Sequence, residues 1–148
     1  MTITQIENWR DYQRDGGQFL KTARAAHHKE SAAFSPSTLY NLTCMGIEKL
    51  IMAYLMKNGK LAENHTMGDL LRALEEQGSQ FDSLRDGLLY LDTFQEICSL
   101  EAGPMVTPAA GEISRILTIG AGIEHCLTPL LTEPQSAAAT STTRNLEQ

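Results

Sequence analysis

The fold class follows from the stretch Gly46-Ile-Glu-Lys-Leu-Ile-Met-Ala-Tyr-Leu-Met-Lys-Asn-Gly59 and, after a short loop, from His65-Thr-Met-Gly-Asp-Leu-Leu71. The first segment belongs to a long helix, because apolar residues recur there at steps of three and four residues, which is the helical period. These residues are Leu39, Leu42, Gly46, Ile47, Leu50, Ile51, Tyr54 and Leu55. Further apolar side chains cover the other sides, a pattern typical of a helix at the centre of its bundle. The two segments therefore predict an all-α protein.

Both helices have recognisable ends. Ser35 can cap the free amides of the first helix, and the proline that follows it suits the first helical position. Asn58-Gly59 predicts the end of that helix, because glycine tolerates the left-handed cap conformation. Thr66 lies three residues before Asp69, which is the spacing of a capping box with Asp in place of the commoner Glu. The sequence therefore predicts that a second helix begins at Thr66.

The same periodicity predicts five helices, over about residues 4–29, 36–57, 66–77, 82–100 and 110–131. The links between the first four are short, and short links favour antiparallel neighbours. We therefore predict an up-and-down four-helix bundle with a fifth helix, as one domain over residues 1–133. Two prolines and a glycine in residues 101–109 predict a turn or lid. The small and polar residues 134–148 predict a flexible C-terminal tail.

Composition excludes several classes of protein. The 148 residues are 42% hydrophobic and 20% charged, near globular averages, and the net charge of -6 disfavours nonspecific adhesion to nucleic acid. Cys44, Cys98 and Cys126 fall within apolar helical patterns, which predicts buried thiols in a reducing cytosol. The N-terminus has no signal-like pattern, and no apolar run approaches the ~20 residues of a membrane span. We expect a cytoplasmic protein without a membrane segment.

The first helix separates its charges by face. At about 100° per residue its core face consists of Trp9, Gly16, Leu20, Ala23 and His27, with Tyr12 and Phe19 beside it. Cationic residues form a stripe about 80° wide on an adjacent side, and the acids of this helix lie beyond it. We call these residues the basic stripe: Arg10, Arg14, Lys21, Arg24 and His28.

The basic stripe has two interpretations. It can bind an anion, such as the phosphates of RNA or a nucleotide, or an acidic partner. It can instead be a solvated face whose cations pair with Glu and Asp on the same or neighbouring helices. His65 is a further candidate, since an anion can lie beside the free amides of a helix start, although such a residue also packs over the helix entry.

Two adjacent glycines interrupt the first helix. Gly16 and Gly17 each cost about 1 kcal/mol relative to alanine in a helix interior. Close approach of another helix, or a kink, would explain them, and a ligand cleft is the alternative.

Several catalytic chemistries lack their motifs. The chain has no Glu-x-x-His of the di-iron bundles, no Cys or His spacing typical of zinc sites, no phosphate loop and no Gly-x-Ser-x-Gly turn. We therefore predict no metal, no cofactor and no catalytic residue, and an enzyme is the less favoured class.

The two opening segments resemble the HEPN domains of prokaryotes, whose second helix reads like A-x-E-K-x-L-K-A-x-L and is followed by a T-H-x-L-x-x-L helix start. The resemblance covers about residues 4–131 in the order and length of the helices. The matching residues are Gly46, Glu48, Lys49, Ala53 and Leu55 in the first motif, and His65, Asp69 and Leu70 in the second, where the His and Thr are reversed. In the bundle, Glu48 could pair with an Arg of the first helix, and Lys49 could reach the surface along its stem.

The resemblance implies a bundle that often dimerises. Members of the family include RNA-cleaving toxins, and partners of small nucleotidyltransferases that help to bind substrate or nucleotide. The ribonucleases carry Arg-x4-6-His near the end of a late helix. This chain has no such motif anywhere, and it also lacks the R-Y-P ending that is common in the family.

Three hypotheses follow. The first is a non-catalytic HEPN-like binding or accessory module, a homodimer that binds a nucleotide, RNA or an acidic partner through the basic stripe and His65, with a nucleotidyltransferase or an antitoxin as a possible partner. The second is a divergent ribonuclease toxin component that uses Arg24 with His27 or His28. The third is a purely structural dimerisation module.

Overall fold

The structure, a computed structural model, describes residues 6–98 and 108–132. Within these ranges every regular element is a helix, which confirms the all-α class. None of the described helices combines the length and apolarity that crossing a membrane requires. The predicted tail, and the predicted turn or lid up to residue 107, lie outside the described residues. The helices are α1 (Trp9–His28), α2 (Pro36–Lys57), α3 (Met67–Glu75), a 3-10 helix (Ser79–Leu84), α4 (Arg85–Cys98) and α5 (Ala110–Leu131).

Helix α2 begins and ends where the sequence predicts. The Ser35 hydroxyl accepts a hydrogen bond from the Thr38 amide at 3.1 Å, which caps the first turn. At the other end Gly59 has a φ of 72°, and the Lys60 amide donates to the Leu55 carbonyl at 2.8 Å. This pair of features is the Schellman ending, which satisfies carbonyls of the last turn. Helix α5 also has the predicted bounds.

Two helices begin later than predicted. Asn8 has a left-handed φ of 62°, so α1 begins at Trp9. Just before it, the Ile6 amide donates to the Met56 carbonyl at 2.9 Å, which ties the chain to the end of α2. Helix α4 begins at Arg85 because the preceding residues form the tighter 3-10 turn.

The centre of the molecule is α2. Residues 50–56 are buried without interruption, which means that every side of this part of the helix is covered. The helix packs against α1, α3 and α5, and its contact with α4 includes a hydrogen bond of 2.8 Å from the Tyr40 hydroxyl to the Leu91 carbonyl. The central position predicted for this helix is therefore confirmed.

The helices α1 and α2 run antiparallel and touch at their glycines. A Cβ atom added to Gly16 would lie 2.9 Å from the Gly46 carbonyl oxygen and 3.1 Å from the Leu50 amide nitrogen. Such distances are too short for a side chain, so the close approach predicted for this glycine is confirmed. Of the predicted core face of α1, His27 is only half-buried, and the neighbouring Ala26 is buried instead.

The relation between α2 and α3 differs from the antiparallel pairing that their short link predicts. His65, at the entry to α3, contacts Glu48 in the middle of α2, whereas Phe81, beyond α3, packs its ring 5.2 Å from that of Tyr54 further along α2. The two helices therefore advance in the same sense. The nine residues of the link 58–66 make this possible, because an extended chain of that length reaches about 30 Å.

One lysine joins three helices at a single end of the bundle. The Lys57 ammonium, at the end of α2, donates to the Leu130 and Thr132 carbonyls at 3.0 Å each. It also lies 5.3 Å from the centre of the Trp9 ring at the start of α1. The cation thus satisfies carbonyls at the C-terminus of α5, where positive charge is favoured.

The thiol of Cys44 is buried between helices. Burial, together with the carboxylates of Glu48 and Asp92, raises its pKa from 9.0 to about 12. Cys126 is half-buried, and desolvation raises its pKa as well. Because the folded-state pKa of Cys44 is raised, its contribution to stability is complete below pH 9 and is lost as the pH rises toward 12.

We expect iodoacetamide at pH 8 to alkylate Cys44 about a thousandfold more slowly in the native protein than in denaturant. The thiolate is the reacting form, and raising the pKa from 9.0 to about 12 lowers its population about a thousandfold. Cys126 should react sooner because it is partly accessible. Peptide mapping by mass spectrometry over time measures both sites. Native labelling of Cys44 as fast as that of Cys126 would contradict the buried position.

Candidate anion-binding groove

Most of the basic stripe lines one shallow groove between α1 and α5. The groove has a volume of about 460 Å³, and Arg10, Arg14, Lys21 and Arg24 all contribute to it. We call it the α1–α5 groove. Its remaining lining residues are Gln13, Gly17, Gln18, Leu50, Glu124 and Thr128. The groove thus combines four cationic side chains with neutral hydrogen-bonding groups and a single acid among the described residues.

Acids of the same helix hold Arg14. Its Nη1 atom lies 3.1 Å from a carboxylate oxygen of Asp11, and its Nε atom lies 3.3 Å from one of Asp15. The expectation that the stripe is segregated from the acids is therefore wrong for Arg14, because its long side chain reaches back along the helix. These side chains are exposed, and exposed pairs of this kind contribute only about 0.3–0.5 kcal/mol. An anionic ligand can replace such weak partners.

Arg24 is held from across the groove. Its Nη1 atom donates to Oε1 of Glu124 at 3.1 Å, which joins α1 to α5. The side chains are 42% and 29% exposed, so solvent still screens this pair. Without a ligand, Arg14 and Arg24 thus pair with acidic side chains, as the solvated-face interpretation expects.

The other two cations differ from these. Among residues 6–98 and 108–132, Lys21 has no ion-pair partner, and it is exposed. The Arg10 guanidinium lies over the Trp9 ring, with Cζ 4.4 Å from the ring centre, which is the geometry of a cation–π contact. This contact positions Arg10 at the end of the groove nearest the start of α1.

The second glycine of α1 faces the groove. A Cβ atom added to Gly17 would meet only Oε2 of Glu124, at 3.6 Å, which is an ordinary contact. Helix packing therefore requires Gly16 but not Gly17. The alternative explanation, that a glycine leaves room for a ligand cleft, agrees with the position of Gly17 in the groove.

Two predicted site residues lie away from the groove. His28 is exposed in the last turn of α1 and does not line it. His65 contacts Glu48, with Nδ1 2.5 Å from Oε2, and this pair joins the entry of α3 to α2. Glu48 thus pairs with His65 rather than with an arginine of α1. The neighbouring Lys49 lies with Nζ 4.6 Å from the centre of the Tyr12 ring.

His27 belongs to a different hollow. That hollow has a volume of about 240 Å³ and is mostly apolar, with Phe34, Leu39 and Ile113 among its lining residues. Arg24 lines the α1–α5 groove instead. Arg24 and His27 thus line different hollows, although they are three residues apart on α1.

Comparison of the chain with protein-family models, with curated proteins and with solved structures found no match. The geometry of the groove is therefore the basis for assigning a function. Sequence reasoning missed the α5 side of the groove. Glu124 and Thr128 share a face of α5, as their four-residue spacing indicates, but spacing does not reveal which helix that face meets.

Proposed function

We propose that the protein is a non-catalytic binding module that holds single-stranded RNA by its phosphates in the α1–α5 groove. The observation that carries this proposal is the placement of Arg10, Arg14, Lys21 and Arg24 along one groove. Positive side chains in a row supply the sequence-independent part of nucleic-acid affinity. Since the whole chain has a net charge of -6, binding is confined to this groove and is weak at high salt.

The length of the groove favours a chain of phosphates over a mononucleotide. Arg10 and Arg24 are fourteen residues apart on one helix, which corresponds to roughly 21 Å along its axis. A single phosphate cannot contact both ends, whereas a short strand supplies several phosphates in series. The groove residues Gln13 and Gln18 add neutral donors and acceptors between the cations.

The fold completes the proposal. We infer a helical bundle of the HEPN type that dimerises, with a nucleotidyltransferase or an antitoxin as partner class. In support, Glu48 of the first resembling segment and His65 of the second form a contact of 2.5 Å, which gives both motif residues a structural role. The missing Arg-x4-6-His motif favours binding over ribonuclease activity.

Fluorescence anisotropy with a labelled ten-nucleotide oligouridylate tests the proposal. We expect saturable binding at 50 mM salt, and a slope of log K against log salt of about -3, because four phosphate contacts each contribute about -0.7. AMP should bind much more weakly, since it reaches only one end of the groove.

Three results would contradict this proposal. A salt-independent signal would mean that phosphates are not bound by the cations. Tighter binding of a ten-residue oligoglutamate than of the RNA would point to an acidic protein partner. RNA cleavage that is lost in His28→Ala would favour the ribonuclease hypothesis, and gel analysis of the incubated RNA detects it.

A further inference from the structure

Glu124 is the one acid among the described residues that line the α1–α5 groove. Its carboxylate bridges two groove residues of α1. Oε1 accepts a hydrogen bond from Arg24 at 3.1 Å, and Oε2 lies over the bare backbone of Gly17, 3.6 Å from where a Cβ atom would be. A phosphate that approaches Arg24 from within the groove therefore meets this carboxylate at the same guanidinium, and the two negative charges repel each other.

We propose that Glu124 is an intramolecular competitor of the ligand, a carboxylate that masks Arg24 until a phosphate of the bound strand displaces it. The proposal rests on the proposed function, because it assigns a regulatory residue to the same groove. Both groups are anions that accept hydrogen bonds from a guanidinium, so they compete for the same donor. Glu124 therefore lowers the affinity of the groove for RNA, because it must be displaced before Arg24 can bind a phosphate.

The exposure of this ion pair makes the exchange feasible. A fully buried pair would be lost only at a high cost, whereas Arg24 and Glu124 are 42% and 29% exposed, and solvent reaches both. The displaced carboxylate can turn toward water, because Glu124 is half-buried and sits on the outer part of α5.

Displacement also discriminates between short and long anions. A strand that is already held by Arg10, Arg14 and Lys21 presents its next phosphate to Arg24 at a high effective concentration. A single small anion lacks this advantage and leaves Glu124 in place. The internal carboxylate thereby favours polyanions over free phosphate and mononucleotides.

The test compares Glu124→Gln with the full-length wild type in the oligouridylate assay. The matched control is Glu76→Gln, which changes the net charge equally at an exposed acid that directly follows α3 and does not line the groove. We expect Glu124→Gln to tighten binding roughly three- to tenfold, because Arg24 no longer has to exchange a carboxylate for a phosphate, and to leave the salt slope near that of the wild type, because the number of phosphate contacts is unchanged. Glu76→Gln should change affinity by less than about twofold.

A second comparison identifies Arg24 as the masked group. In an Arg24→Gln background, Glu124→Gln should no longer tighten binding, since nothing remains to be unmasked. Thermal unfolding of each variant verifies that all are folded.

The outcomes separate the two proposals. RNA binding that is identical in Glu124→Gln and Glu76→Gln would overturn the competitor role and leave the proposed function standing. An equal gain in the Arg24→Gln background would also overturn it. Absence of RNA binding in the wild type would overturn the proposed function, and its absence in Glu124→Gln as well would overturn both.

Discussion

Replacing Arg14, Lys21 and Arg24 together by glutamate is expected to weaken binding of the oligouridylate at least about a hundredfold at 50 mM salt. Three of the four cations that line the groove are lost, and three anions take their place. The new carboxylates also lie beside existing acids, because Arg14 is next to Asp11 and Arg24 faces Glu124. Anisotropy titrations at several salt concentrations measure both the loss and the smaller salt slope.

The matched control changes the same total charge away from the groove. Lys29, Lys60 and Arg72 are exposed cations, and none of them lines the groove, so their joint replacement by glutamate should weaken binding far less. Circular dichroism at rising temperature shows whether each triple variant is folded. If the control loses as much affinity as the groove variant, net charge rather than the groove governs binding.

The second large effect concerns stability. Gly16→Ala is expected to lower the free energy of unfolding by about 1–3 kcal/mol, the range for inserting an extra methyl group into a packed contact. The new Cβ atom would lie 2.9 Å from the Gly46 carbonyl oxygen and 3.1 Å from the Leu50 amide nitrogen. Both are backbone atoms of α2, so the two helices must separate. Urea denaturation, followed by far-ultraviolet circular dichroism, measures the change.

The adjacent glycine provides the control. Gly17→Ala is expected to raise the free energy of unfolding by about 0.5–1 kcal/mol, because alanine is the better helix former and the added atom fits at 3.6 Å from Glu124. Two identical substitutions at neighbouring positions should therefore have opposite signs. Destabilisation by both would mean that Gly17 also has a packing role.

Local patterns were enough to predict the elements, but not how the elements meet. The bounds of α2 follow from Ser35 at one end and Gly59 at the other, and both act through neighbouring backbone groups. Burial on the core face of α1 follows equally from periodicity at Trp9 and Leu20. These features depend on contacts within a few residues, which a single sequence contains.

The groove depends on contacts between distant parts of the chain. Arg24 and Glu124 are a hundred residues apart, and nothing in either helix alone indicates that they meet. The direction of α3 was missed for the same reason, since it is set by the contact of His65 with Glu48 rather than by the length of the link. The basic stripe was predictable as a set of residues, whereas its internal competitor was not.

The Lys57 contacts have a consequence for how the protein can be joined to others. The Ile6 amide binds the Met56 carbonyl, and the Thr132 carbonyl binds the Lys57 ammonium on the next residue. Residues 6 and 132 therefore both contact the end of α2, one at Met56 and the other at Lys57, so they lie at the same pole of the bundle. A fluorescent protein joined directly to residue 6 or to residue 132 would therefore lie at the same pole of the bundle, beside the Arg10 end of the groove.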